Sequence, residues 1–125
     1  MSNIKPIIIL ATGNPFRQGI INDALNHDYK IISKTTGIEV IEMFDLIQAK
    51  VQLVIMDNQF EDMNCVELLK ELKKKSINTE FIIISEKNNL EETLECFKLG
   101  ALDYVSGDVE GIDFLEVVNK GLKNI

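Results

Sequence analysis

The chain has 125 residues, 46% hydrophobic and 6% aromatic, which suffices for one domain with one apolar core. Its formal charge of −7 argues against sequence-independent nucleic-acid binding, which needs a basic face. Two cysteines, Cys65 and Cys96, make no disulfide framework and fit a reducing compartment. The apolar run Ile7–Ala11 is too short for a signal peptide or a membrane span, so a cytoplasmic protein is expected.

Ile7–Ala11 is continuous and rich in β-branched residues, which predicts a central strand. Thr12-Gly13-Asn14-Pro15 breaks it, and Pro15 suits a first helical turn. Phe16, Ile20, Ile21, Ala24 and Leu25 then fall on one helical face. Residues 26–28 read as a loop, and His27, the only histidine, reads as solvated. Tyr29–Thr36 carries Lys30 and Lys34 around Ile31-Ile32, as expected of an exposed edge strand. Gly37 leads into a helix with apolar Ile38, Ile41, Phe44 and Ile47.

Val51–Asp57 carries the strongest signal. It is apolar except for Gln52 and stops abruptly at Asp57, before a polar loop. Such a run reads as a strand buried on both faces. A carboxylate at its C-terminal end stands where open α/β sheets place their ligands. The plainer alternative is that Asp57 only starts a turn. A helix from Met63 to Lys75 follows, with Val66, Leu69 and Leu72 apolar. Its Lys73-Lys74-Lys75 end reads as a solvated last turn that complements the helix dipole. Thr79–Ser85 contains Phe81-Ile82-Ile83-Ile84, another buried strand. Leu90, Leu94 and Phe97 define the next helix, and Gly100 closes it. Leu102–Val105 is a short strand, and Phe114, Val117, Val118 and Leu122 mark a last helix. Cys65 and Cys96 each read as a small apolar filler on a helix.

Five strands alternating with five helices imply a parallel sheet covered on both faces. The most apolar strands, the first, third and fourth, should be central. The expectation is a flavodoxin-like (βα)5 three-layer α/β sandwich, order 2-1-3-4-5, as one domain over residues 1–125. That order brings Thr12-Gly13, Asp57, Ser85 and the Ser106-Gly107 turn to one end of the sheet.

Val54-Ile55-Met56-Asp57, Met63, Glu67-Leu68-Leu69, Ile82-Ile83-Ile84-Ser85 and Gly100-Ala101-Leu102-Asp103-Tyr104-Val105 carry a family likeness. On them the chain resembles the response-regulator receiver domains of two-component signalling, over essentially its whole length. The resemblance implies a signalling module without enzymatic activity of its own. It makes Asp57 the phosphoacceptor and Ser85 the hydroxyl that bonds the phosphoryl group. Tyr104 becomes the aromatic switch that turns inward when Ser85 moves, and the Gln59 carbonyl a Mg²⁺ ligand beside Asp57. The fourth helix, fifth strand and fifth helix become the output surface, which also suits a homodimer.

The chain departs from the family pattern at the site. Thr12 and Gly13 stand where receivers carry an acidic pair, and Gly107 and Asp108 where they carry a lysine and a proline. Glu61 and Cys65 replace the usual proline and glycine after the acceptor. Phosphoryl transfer is mostly positioning and charge neutralisation, with a metal and a cation on the equatorial oxygens. Each lost interaction is worth about 2–4 kcal/mol of transition-state stabilisation. Mg²⁺ binding is therefore expected to be weak or absent. Arg17 and Lys87 are candidate substitute cations, read here as ordinary surface charges.

Two functional readings follow from the resemblance. In one, Asp57 still accepts phosphate slowly from a histidine kinase or phosphotransfer protein. In the other, the chain is a phosphorylation-independent pseudo-receiver that binds an effector protein or domain through its surface. That output face is acidic, with Glu91, Glu92, Glu95 and Asp103 against Lys98 and Lys120; it reads as a solvated surface or, alternatively, as a docking face for a basic partner. A third reading is an FMN-binding flavodoxin-like protein, because Thr12-Gly13-Asn14 resembles a phosphate loop. Pro15 removes one N–H from that loop, no second hydroxyl follows, and no tryptophan is present to stack on the flavin.

Overall fold

The apolar runs become the middle of a sheet. In the computed structural model, which describes residues 5–47, 50–76, 78–86, 90–107 and 111–123, five parallel strands lie in the order β2-β1-β3-β4-β5. They are β1 (Ile7–Ala11), β2 (Lys30–Lys34), β3 (Val51–Asp57), β4 (Glu80–Ser85) and β5 (Asp103–Ser106). The helices are α1 (Pro15–Leu25), α2 (Gly37–Ile47), α3 (Cys65–Lys73), α4 (Leu90–Lys98) and α5 (Gly111–Lys123). The flavodoxin-like α/β architecture and the strand order are those expected. β2 and β5 are the edges, and along β5 only Val105 is buried.

Alternation along each strand sorts the core into two layers. Ile9, Val54, Met56 and Ile83 face α2, α3 and α4, where Phe44, Leu68, Leu69, Leu72 and Cys96 meet them. Ile8, Leu10, Ile55 and Ile84 face α1 and α5, where Ile21, Leu25, Phe114 and Val118 close the other side. Each such side chain is fully or almost fully buried, worth about 1.5–3 kcal/mol apiece by transfer.

Gln52, the one polar residue early in β3, has a structural cause. The β1–β3 register shifts there: Ile7 pairs with Val51 but Ile8 pairs with Leu53. The Ile7 N–H donates instead to Gln52 Oε1 at 2.8 Å. A side-chain amide thus completes a ladder that the bulge interrupts.

The helices differ from expectation in which face they bury. α1 buries Arg17, Ile21 and Leu25, whereas Phe16 is 78% exposed and Ala24 also lies outward. α2 buries Val40 and Phe44 and leaves Ile38 exposed. α4 buries Thr93 and Cys96, while Leu90 and Leu94 are exposed. α3 starts at Cys65 rather than Met63 because Asn64 caps it. Asn64 Oδ1 accepts from the Glu67 N–H while Glu67 accepts from the Asn64 N–H. Gly100, at φ 107°, ends the α4 segment in the left-handed conformation that glycine adopts freely. Among the described residues no helix is long and apolar enough to cross a membrane.

Candidate functional site

Asp57 is the last residue of β3 and is 5% exposed. Pairing of Ala11 with Met56 on one side and of Asp57 with Ile84 on the other fixes its neighbours. Thr12, directly after β1, is held by its N–H to the Lys34 carbonyl at 3.0 Å. Its hydroxyl donates to Asp57 Oδ2 at 2.8 Å and accepts from the Asn14 N–H at 3.1 Å. The Gly13 N–H donates to the same Oδ2 at 3.2 Å. Asn14 caps α1 through the Phe16 and Arg17 amides, which sets the helix phase and turns Arg17 inward.

Arg17 is the residue of this cluster that the sequence reading misplaced. It is 7% exposed, not a surface charge. Nη1 donates to Asp57 Oδ1 at 2.9 Å, Nε donates to the Gly107 carbonyl at 3.2 Å, and Nη2 is ion-paired with Glu86 Oε1. A buried guanidinium without carboxylate partners would be prohibitively costly, and here it has two. Lys87, the other candidate cation, and Asp108 lie outside the described residues.

Burial pushes the Asp57 carboxyl above its ordinary value. The Thr12 hydroxyl, the Arg17 guanidinium and the Gly13 amide pull the other way without cancelling it. Both oxygens of the carboxylate are thus engaged by donors from the β1–α1 segment.

Gly107 is the position at which the sequence resemblance leads one to expect a lysine. A Cβ there would lie 2.8 Å from Glu86 Oε1 and 3.0 Å from Arg17 Nη2. With the Arg17–Glu86 pair in place, the position has no room for a side chain. Its N–H donates to the Ser85 carbonyl at 3.1 Å, joining the ends of β4 and β5.

Ser85 is next to Ile84, the cross-strand partner of Asp57, but its hydroxyl is engaged with α4. Thr93 Oγ1 donates to Ser85 Oγ at 3.2 Å and accepts from Asn58 Nδ2 at 3.0 Å. Asn58, which follows Asp57, also donates to the Glu86 carbonyl at 3.3 Å. A neutral network therefore joins the loop after β3, the end of β4 and the middle of α4. Tyr104 is 46% exposed and packs edge-on against Phe97 of α4, with centroids 5.4 Å apart.

The loop after Asp57 is tied down at several points. Asp62 accepts from the Gly37 and Ile38 amides at 2.9 Å, capping α2. Gln59 is exposed, bridges to Asn64, and sends its side-chain amide to the Phe60 carbonyl. Glu61 is exposed. Cys65 is buried, its N–H on the Asn58 carbonyl. Cys65 and Cys96 are a contacting pair rather than separate fillers: the Cys96 thiol donates to Cys65 Sγ at 3.1 Å. Hydrogen bonding to Cys65 and burial both push the Cys96 thiol far up.

The sheet thus brings Thr12, Gly13, Asp57 and Gly107 together as expected, and places Ser85 beside them facing α4. Sequence reasoning missed Glu86, Asn58 and Thr93 and misjudged Arg17. The available signal was the four-residue spacing Arg17, Ile21, Leu25, which marks one helical stripe.

This geometry has close relatives. Residues 8–119 match the family described as the response regulator receiver domain. The chain is 28% identical over 87 residues to a protein-glutamate methylesterase/protein-glutamine glutaminase of Treponema denticola, with 62% of this chain and 23% of that protein covered. It is 29% identical over 77 residues to the response regulator SaeR of Staphylococcus aureus, with 62% and 32% covered. The chain therefore corresponds to less than a third of the length of these two curated relatives. A response regulator receiver domain protein from Clostridium thermocellum superposes with a TM-score of 0.86 at 19% identity, with 94% of each chain covered. Fold and family match agree: the chain belongs to the response regulator receiver domains of two-component signalling.

Proposed function

We propose that the chain is an atypical receiver module that signals through its α4–β5–α5 face independently of phosphorylation at Asp57. The observation that carries this is the Thr12 hydroxyl on Asp57 Oδ2 at 2.8 Å, at a position where receivers carry a metal-binding acid. A donor there occupies one of the carboxylate's acceptor sites and makes that oxygen a weaker nucleophile, and it brings no charge to hold Mg²⁺. The partner is an effector protein or domain, or a second copy of the chain. The proposed face supports this with exposed Leu90, Leu94, Tyr104 and Leu115 among Glu91, Glu95 and Asp103, and Asp103 is paired to Lys120 at 3.3 Å. Its acidity favours a basic partner surface, with an association rate that falls as salt rises.

A second reading keeps Asp57 as a slow phosphoacceptor for a histidine kinase or phosphotransfer protein, with Ser85 and Tyr104 as its switch pair. The Arg17 guanidinium on Asp57 Oδ1 favours it, since a cation there would neutralise phosphoryl charge. Incubating the chain with a small-molecule phosphodonor and Mg²⁺ separates the two. We expect no hydroxylamine-sensitive phosphoryl adduct by intact mass. An adduct that Asp57→Asn abolishes would overturn the first reading in favour of the second.

A further inference from the structure

Three oxygen donors converge on one side chain. Asp57 Oδ1, Glu86 Oε1 and the Gly107 carbonyl come from β3, from the residue after β4 and from the residue after β5, and each takes a different nitrogen of Arg17. Two carboxylates and a carbonyl form a hard-oxygen set of the kind that holds Mg²⁺ beside several waters. The family's acidic pair plays no part in it, because Thr12 and Gly13 supply donors rather than acceptors. The group at the centre of these oxygens is a guanidinium, planar, permanently charged and fork-shaped, and so able to serve several acceptors at once.

We infer that Arg17 is a resident cation. Its guanidinium fills the Asp57–Glu86–Gly107 oxygen nest in place of a divalent metal and closes the site to Mg²⁺. Withdrawing that side chain exposes a latent Mg²⁺ site. The phase of α1 supports this, since Asn14 caps the helix so that Arg17 heads the buried stripe. Gly107 supports it independently, because a Cβ there would intrude on both Glu86 and Arg17. The inference rests on the atypical-receiver reading but concerns metal occupancy, not phosphorylation.

The test is a Mg²⁺ titration of the full chain followed by amide NMR shifts, with thermal unfolding measured in parallel. The wild type should show no saturable shift around Asp57 up to about 10 mM Mg²⁺. Arg17→Ala, which keeps α1 with its best helix former, should show saturable shifts at Gly13, Asn58 and Gly107. Its melting temperature should rise with Mg²⁺ where that of the wild type does not. Arg17→Gln serves as a second variant should the alanine chain fold poorly. Adding Glu86→Gln to either should weaken Mg²⁺ binding by about tenfold or more, one of the two carboxylates being gone.

A wild type that saturates with Mg²⁺ in this range overturns the inference. So do two folded Arg17 variants that stay blind to Mg²⁺, the result expected if Arg17 only holds the fold together. By contrast, a wild type phosphorylated equally with Mg²⁺ or with a chelator defeats the atypical-receiver reading and leaves the resident cation standing.

Discussion

Two helices flank Asp57, and each turns one polar residue toward the sheet: Arg17 from α1 and Thr93 from α4. They are buried for different reasons. Arg17 reaches across the top of the sheet into an ionic cluster with Asp57 and Glu86. Thr93 sits in a neutral chain of hydroxyl and amide groups with Ser85 and Asn58. Loss of a charge from the first leaves another charge buried and unpaired, which is expensive. Loss of a hydroxyl from the second costs about as much as one ordinary hydrogen bond. The α1 side is therefore built to stay closed, and the α4 side can rearrange at small cost.

The largest test of that contrast is Arg17→Ala. It should lower the free energy of unfolding by about 3 kcal/mol, measured by urea denaturation. Arg17→Ala combined with Asp57→Ala should cost less than the sum of the two single changes, because the second removes the stranded carboxylate. Additive costs would mean that the pair is not coupled.

Gly107→Ala should come next. Its methyl group would stand 2.8 Å from Glu86 Oε1 and 3.0 Å from Arg17 Nη2, so the ionic cluster must shift. A loss of about 1–2 kcal/mol is expected by analogy with overpacking. In an Arg17→Ala background the same change should be nearly silent. An equal cost in both backgrounds would place the strain elsewhere.

Thr93→Val should cost about 1 kcal/mol and leave the α1 side untouched. Its sharper readout is hydrogen exchange: α4 amides should exchange faster while those of α1 keep their rates. Faster exchange in both helices would merge the two regions into one cooperative unit.

The smallest effect is a pH slope. The folded Asp57 carboxyl titrates above its ordinary value because it is buried. The native state thus holds that proton more tightly than the unfolded chain does. The stabilisation is fully present below the unfolded value and is lost as pH rises through the folded one. Stability of the wild type minus that of Asp57→Asn should therefore fall as pH rises above the ordinary carboxylate range. A difference that rises with pH would mean that the Arg17 and Thr12 partners outweigh burial.

The fold was legible because it rests on strand-sized apolar runs. Ile7–Ala11 and Phe81–Ile84 admit few readings other than buried strands, and the alternation with helices fixes the class. The helix faces were less legible where a polar residue occupies the buried stripe. In α1 the apolar Phe16 and Ala24 drew the predicted face away from Arg17, and in α4 Leu90 and Leu94 drew it away from Thr93. The partners of these residues lie far off in sequence: Arg17 meets Asp57 40 positions on and Gly107 90 positions on. No local pattern announces such a meeting. The departures at Thr12, Gly13 and Gly107 could be read as missing family residues. That the first two donate to Asp57 and the third makes room for a latch required three dimensions.

The bulge at Gln52 has a consequence at the far end of the sheet. With uninterrupted pairing from Ile7 and Val51, Thr12 would face Met56, whose side chain belongs to the layer under α2 and α3. One surplus residue advances β3 by a single step, so Ala11 meets Met56 and Asp57 draws level with Thr12. Five residues of strand, roughly 16 Å, separate that cause from its effect. Asp57 is thus aimed from the opposite end of its strand, much as the length of a key's shank decides which ward its bit will meet. Were Gln52 to enter the ladder opposite Ile8, the carboxylate would be retracted from Thr12, Gly13 and Arg17 together without one atom of the site itself being altered.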